Sequence, residues 1–407
     1  MNIKGLLLGS AAALVAISGA RAADAVMAPE PEPVEYVRVC DAYGAGFFYI
    51  PGTETCLQIS GYIWYQVGAG AHQSVANAGP FPGTVTSALA FAGDGWEKNI
   101  EARVNFDVRS ETEWGTLRSY IRFNASWNGV GDGAVSTDQA FIQLGGFMMG
   151  YSESFWVDSW DGNPSNYGSH SWHGMYYGYQ QRALIGYNFS SNGFFGAIAL
   201  EDDALDGEGY MPDVVAKLGY SAGWGAVWVK VAYDESYDGS IGPALFGAPI
   251  NDGGFAAQLG AQFNIPNMPG SSLRVIGFWA DGSHQYNAGS PSVIWGPTGE
   301  AIYGGSEWSI LVSYNHQFSE TFGASVAVQY FKNLYYAGTN ITNGNALPGS
   351  TPDAWSAELS VVWLPVTNFE VRAELHYDDI GRHEPGIAPV GNPAGDVSGF
   401  LRFTRYF

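Results

Sequence analysis

An all-β fold, a transmembrane antiparallel β-barrel of about sixteen strands, is predicted by three features of this 407-residue chain: an export signal, period-two alternation along most of its length, and an amphipathic last segment ending on Phe407. Val397 to Phe407 reads as a strand. In hydrocarbon such a strand must pair with the first, because no water satisfies the N–H and C=O groups of an open sheet edge.

At the amino end, Lys4 lies in a short cationic region, Leu6 to Ile17 is apolar, and Ala20-Arg21-Ala22 is a small-x-small cleavage site. The apolar run is too short for a membrane helix, which needs about 20 residues. The expected organisation is a signal peptide over 1–22, a periplasmic amino-terminal segment over 23–56 and the barrel over 57–407. Within the second part, Pro29-Glu30-Pro31-Glu32-Pro33 is an extended spacer that cannot pair as an inner strand.

Composition agrees with crossing by strands. Charged residues make up 14% of the chain, aromatics 15%, and there are 55 glycines, which suits many strands, tight turns and Trp/Tyr belts at two interfaces. The formal charge of −22 becomes more negative when Lys4 and Arg21 leave with the signal, so nucleic acid is not an expected partner. Cys40 and Cys56 allow one intramolecular pairing in an oxidising compartment, and a disulfide is expected; two free buried thiols are the alternative. No cofactor is expected.

From Leu57 the period becomes two. Leu57, Ile59, Ile63, Tyr65 and Val67 oppose Gln58, Ser60, Tyr62, Trp64 and Gln66. In the next strand Asn99, Glu101, Arg103, Asn105, Asp107 and Arg109 share one face, and after it Arg118, Tyr120, Arg122 and Asn124 do the same. Further strands follow at 147–151, 182–189, 194–200, 214–220, 224–233, 255–263, 273–279, 307–318, 321–331 and 355–363, and another carries Phe369 to Tyr377. Short connections such as Ser190 to Gly193 alternate with long ones such as Ala337 to Asp353, the asymmetry of a barrel with a short-turn and a long-loop end. At about 24 residues per strand and connection, the mature chain makes about sixteen strands.

The segment from Tyr36 to Gly61, Ala140-Phe141-Ile142-Gln143-Leu144-Gly145-Gly146-Phe147, Ser154-Phe155-Trp156 and Leu401 to Phe407 resemble the alphaproteobacterial general porins of the Brucella and Rhizobiales type. The resemblance spans essentially the whole chain. It implies a homotrimer of sixteen-stranded barrels in the outer membrane, passing small hydrophilic solutes and ions by diffusion. It also implies an inward-folded third loop between the strand ending near Tyr151 and the one beginning near Arg182. On this basis Arg103, Arg118 and Arg122 are candidates for the basic side of the pore constriction, and Asp158 and Asp161 for its acidic loop. Arg405 departs from the pattern by sharing the lipid-side face with Phe403 and Phe407, where an arginine can snorkel to the interface.

Two other classes compete: a barrel enzyme, and a non-conducting adhesion or structural barrel. Gly219-Tyr220-Ser221-Ala222-Gly223 matches G-x-S-x-G, but a strand follows it where a nucleophile elbow needs a helix. His170 and His173 have only their spacing to suggest a metal, and none is expected. The aromatics Trp172, Tyr176, Tyr177 and Tyr179 read as loop packing, with a sugar-stacking track as the alternative. Many Gln, Ser, Asn and Arg at inward positions favour a water-filled lumen over a filled one.

Overall fold

The computed structural model describes residues 38–70, 95–127, 135–157, 168–172, 175–202, 211–235, 253–282, 284–291, 303–336, 353–380 and 396–407. The expected signal peptide and the proline spacer lie outside them. The chain divides into two units, 1–39 and 40–407, and the second contains the barrel.

In chain order the strands are β1 (Phe48–Tyr49), β2 (Cys56–Gly70), β3 (Gly95–Thr112), β4 (Gly115–Trp127), β5 (Val135–Leu144), β6 (Phe147–Glu153), β7 (Gln181–Ser191), β8 (Phe194–Asp202), β9 (Asp213–Ala222), β10 (Gly225–Asp234), β11 (Gly254–Asn264), β12 (Ser272–Ala280), β13 (Tyr303–Ser319), β14 (Phe322–Tyr336), β15 (Ala354–Val366), β16 (Phe369–Ile380) and β17 (Asp396–Tyr406). Each strand from β2 to β17 pairs antiparallel with its sequence neighbour, and β17 returns to β2, with Leu401 opposite Val67 and Phe403 opposite Tyr65. The sixteen strands form a closed barrel. At the seam Phe407 exchanges backbone hydrogen bonds with Gly61 at 3.0 and 3.1 Å. A Cβ on Gly61 would lie 2.0 Å from the Arg103 carbonyl oxygen, so this close approach requires glycine.

Alternation decides which side chains meet lipid. On β10, Val227, Val229, Val231 and Tyr233 are exposed on the outer face, while Trp228, Lys230 and Ala232 are buried inside. The turns at 113–114, 145–146, 192–193, 223–224, 320–321 and 367–368 are tight. Asn192 and Gly193, both at positive φ, give β7–β8 a turn whose twist matches that of the strands. Gly219 to Gly223 runs along β9 into the turn before β10, a strand–turn–strand context. Arg405 lies on the outer face and donates to the carbonyls of Thr367 and Asn368 at the rim.

Cys40 and Cys56 form a disulfide. The bond ties a 3-10 turn at Asp41–Tyr43 and the short β1 to the start of β2, where Phe48 faces Leu57. Phe47 packs with both cysteines, and the Arg109 guanidinium lies 5.7 Å from the Tyr43 ring centre and 5.1 Å from that of Phe47. Closing a loop of this size restricts the unfolded chain by about 3 kcal/mol in the entropy model. Sixteen hydrogen-bonded strands do not depend on it. Reduction is therefore expected to leave barrel circular dichroism and single-channel conductance unchanged, while thiol titration of the unreduced, denatured protein should find no free thiol.

Candidate functional site

The connection between β6 and β7 turns into the barrel. Ser154 and Phe155 dock on β8: the Ser154 hydroxyl donates to Glu201 at 2.6 Å and the Phe155 N–H donates to the same carboxylate at 2.8 Å. Phe155, Trp156 and Val157 are buried in a cluster with Leu184, Phe195, Trp228 and Tyr286 of the wall and a neighbouring loop. Each such large apolar side chain contributes about 1.5–3 kcal/mol on burial. Lys230 of β10 donates to the Trp156 carbonyl at 2.7 Å. The loop is anchored from its first residues.

Its second described stretch reaches farther around the barrel. Arg274 of β12 donates to the Ser169 carbonyl at 3.0 Å. His170 places Nδ1 2.5 Å from the Ser313 hydroxyl and Nε2 2.8 Å from that of Ser272. Burial, with Arg274 beside it, pushes the His170 imidazole down to about 3. Both ring nitrogens are thus engaged in loop docking. The Ser171 hydroxyl donates to Glu358 of β15 and the Trp172 N–H to Glu374 of β16, each at 2.6 Å. Tyr176 packs against Phe278 and donates to the Asn287 carbonyl at 2.6 Å. Trp172 meets Tyr62 edge-on at 5.7 Å, and Arg402 lies 4.5 Å from its ring centre. The Tyr177 and Tyr179 rings stand 5.9 Å apart, and Tyr179 is exposed.

The loop is bonded to β8, β10, β12, β13, β15 and β16. The inner wall of β3 to β6 carries a different lining. Arg103, Arg118 and Arg122 all face inward there, with side chains 20%, 18% and 18% exposed. Arg118 forks onto Asp107 at 3.0 and 2.8 Å, and Arg109 grips the same carboxylate. Arg103 donates to Asn124 at 2.8 Å and lies 3.9 Å from Glu101 and 3.8 Å from Asp138. Arg122 reaches Asp138 at 3.0 Å and Glu153 at 3.3 Å. The arginines interleave with acids on the same wall.

Asp138 escapes a reading by alternation because β5 bulges there. Arg122 pairs with Gln139 and Phe123 with Thr137, so Asp138 is the extra residue. A bulge re-aims one side chain, and both Asp138 and Gln139 turn toward the lumen. Gln139 donates to Glu153 at 3.1 Å and Gln181 to Asp138 at 3.1 Å. Asp158 and Asp161 lie in 158–167, outside the described residues, as does His173.

A closed sixteen-strand barrel with an apolar outer belt, a charged inner wall and a loop folded inside defines an outer-membrane channel of the porin class. The porin subfamily pattern matches residues 24–394, and the chain is 38% identical to porin Omp2b of Brucella suis over 100% of both sequences. The chain belongs to the porin family, and it is an outer-membrane porin that passes solutes by passive diffusion. In fold it is similar to the outer-membrane channel DcaP of Acinetobacter baumannii, at 12% identity and a TM-score of 0.59, covering 88% of this chain and 99% of that one. It also matches OmpT of Vibrio cholerae in its trimer form, at 11% identity and a TM-score of 0.50 over 87% and 100% of the two chains.

Proposed function

We propose that the channel narrows between the arginine wall of β3 and β4 and the inward loop, and that this gap selects small hydrophilic solutes and ions. The observation that carries the proposal is the one-sided docking of the loop. Its described hydrogen bonds to the wall fall on strands from β8 to β16, with ring contacts of Trp172 to Tyr62 of β2 and Arg402 of β17, while Arg103, Arg118 and Arg122 of β3 and β4 remain part-exposed. Asp158 and Asp161, carried by the same loop, supply the opposing carboxylates. Charges of both signs across a narrow aqueous gap create a transverse field that orients dipolar solutes and penalises apolar ones.

The domain division follows: residues 1–22 direct export, 23–56 form a periplasmic segment, and 57–407 form the barrel in contact with outer-membrane lipid. The working unit is a homotrimer without enzymatic activity. Ile59 and Ile63 of β2 and Leu401 and Phe403 of β17 support the assembly as apolar side chains on the outer face of the two strands that meet where the barrel closes, with Arg405 opposite Ile63 toward the rim. The trimer form of the Vibrio cholerae protein is a precedent within the fold. Reconstitution into planar bilayers should give openings in groups of three equal conductance steps. Independent single steps, with a monomer mass in mild detergent, would contradict the trimer.

A further inference from the structure

The outer face of β14, β15 and β16 carries a groove of about 410 Å³ lined by Phe322, Val361, Trp363, Val371 and Ala373. Strand register explains its shape. Phe322, Trp363, Val371 and Phe403 stand side by side in one outward layer, and Ala324, Val361 and Ala373 form the next layer away from the tight turns. Beyond them Leu359 and Leu375 are large again and exposed. A band of small side chains therefore runs between two bulky ones.

Arg405 stands at the turn end of this groove. It pairs with Phe369, two residues before Val371, which puts its Cα roughly 8 Å from that of Val371 at ordinary strand spacings. Hydrogen bonds to the Thr367 and Asn368 carbonyls, at 3.3 and 3.1 Å, draw its guanidinium across β16 toward the turn that follows β15. Those bonds use Nη1. Nε and Nη2 have no partner among the described residues, and the side chain is exposed. An apolar groove with a hydrogen-bonded cation at its rim matches one class of molecule.

We propose that this face binds one glycerophospholipid of the periplasm-side leaflet, an acyl chain lying over Val361 and Ala373 beside Trp363 and the phosphate accepting from Arg405. The groove supplies the fit and the guanidinium supplies the charge complementarity; neither touches the lumen. Both parts can be removed separately.

The test uses full-length protein in dodecyl maltoside, with dioleoylphosphatidylglycerol or dioleoylglycerol added and retained lipid counted by native mass spectrometry. Wild type should hold one phosphatidylglycerol per barrel and no diacylglycerol. Arg405→Gln should lower retention roughly tenfold, as expected for loss of a charge-assisted contact. Ala373→Phe, which fills the floor, should abolish it, and both variants should keep wild-type conductance and heat-resistant migration. Equal retention in all three proteins, or equal retention of both lipids, would overturn the proposal in favour of unspecific annular lipid. Ala373→Phe dissociating an oligomer without changing lipid retention would make the groove a protomer interface and overturn it as well. If Ala373→Phe fails to fold, Arg405→Gln alone decides, since it changes only the rim.

Discussion

Replacing Glu358 and Glu374 together by leucine is expected to free the tip of the inward loop and turn a steady channel into a fluctuating one. These two carboxylates accept from the Ser171 hydroxyl and the Trp172 N–H at 2.6 Å each. A hydrogen bond to a charged group contributes about 1.5–3 kcal/mol, so losing both lowers the docked-to-undocked ratio by roughly a hundredfold or more. The loop's first turn should stay in place, because Ser154 and Phe155 are held by Glu201 and by buried apolar contacts. Single-channel recording should show added open-state noise, and limited proteolysis should cut between Gly168 and Tyr179 only in the variant. Wild-type traces and protection would mean that other contacts fix the loop.

Neutralising charges on the β3–β6 wall should move ion selectivity in opposite directions. Arg122→Ala leaves Asp138 and Glu153, now 3.0 and 3.3 Å from its Nη1, without that guanidinium, and cation preference should rise. Asp138→Asn should shift preference toward anions, and Asp161→Asn should do the same if the loop acids face the gap. Arg118→Ala should act more weakly, because Arg109 still compensates Asp107 at 2.7 Å. All shifts should shrink between 0.1 M and 1 M salt, as the Debye length falls from about 10 Å to about 3 Å. Reversal potentials across a salt gradient measure them. Unchanged potentials in both Arg122→Ala and Asp138→Asn would remove these residues from the narrowest part.

The barrel was legible because its rule is simple: alternation puts Ile59 and Ile63 outside and Tyr62 and Trp64 inside, and the ladder obeys it. Strand ends were less legible. β3 spans Gly95–Thr112, beyond the Asn99 to Arg109 read from the sequence, since hydrogen-bonded pairing continues past the membrane into water where apolar alternation lapses. β5 left only its end as a motif, and its bulge hid Asp138 by breaking the period that reveals inward residues. The arginines were visible as a face; which acid each one pairs with was not. Glu101 and Asp107 stood on the same face in the sequence, but pairing Arg118 with Asp107 takes a register between β3 and β4 that only the folded sheet supplies. The docking of Ser171 on Glu358 spans 187 positions, and no local pattern encodes such a contact.

The central claim, a water-filled gap at the arginine wall, is tested most directly by neighbouring residues on opposite faces. Arg122 points inward, and Ile121 points to lipid with 38% exposure. With both native cysteines held in a disulfide, single Arg122→Cys and Ile121→Cys variants offer one thiol each to a charged, water-soluble methanethiosulfonate reagent during planar-bilayer recording. The account predicts that the reagent reduces current stepwise through Arg122→Cys and leaves Ile121→Cys unchanged. Undiminished current through Arg122→Cys whose modification is verified by mass would contradict it.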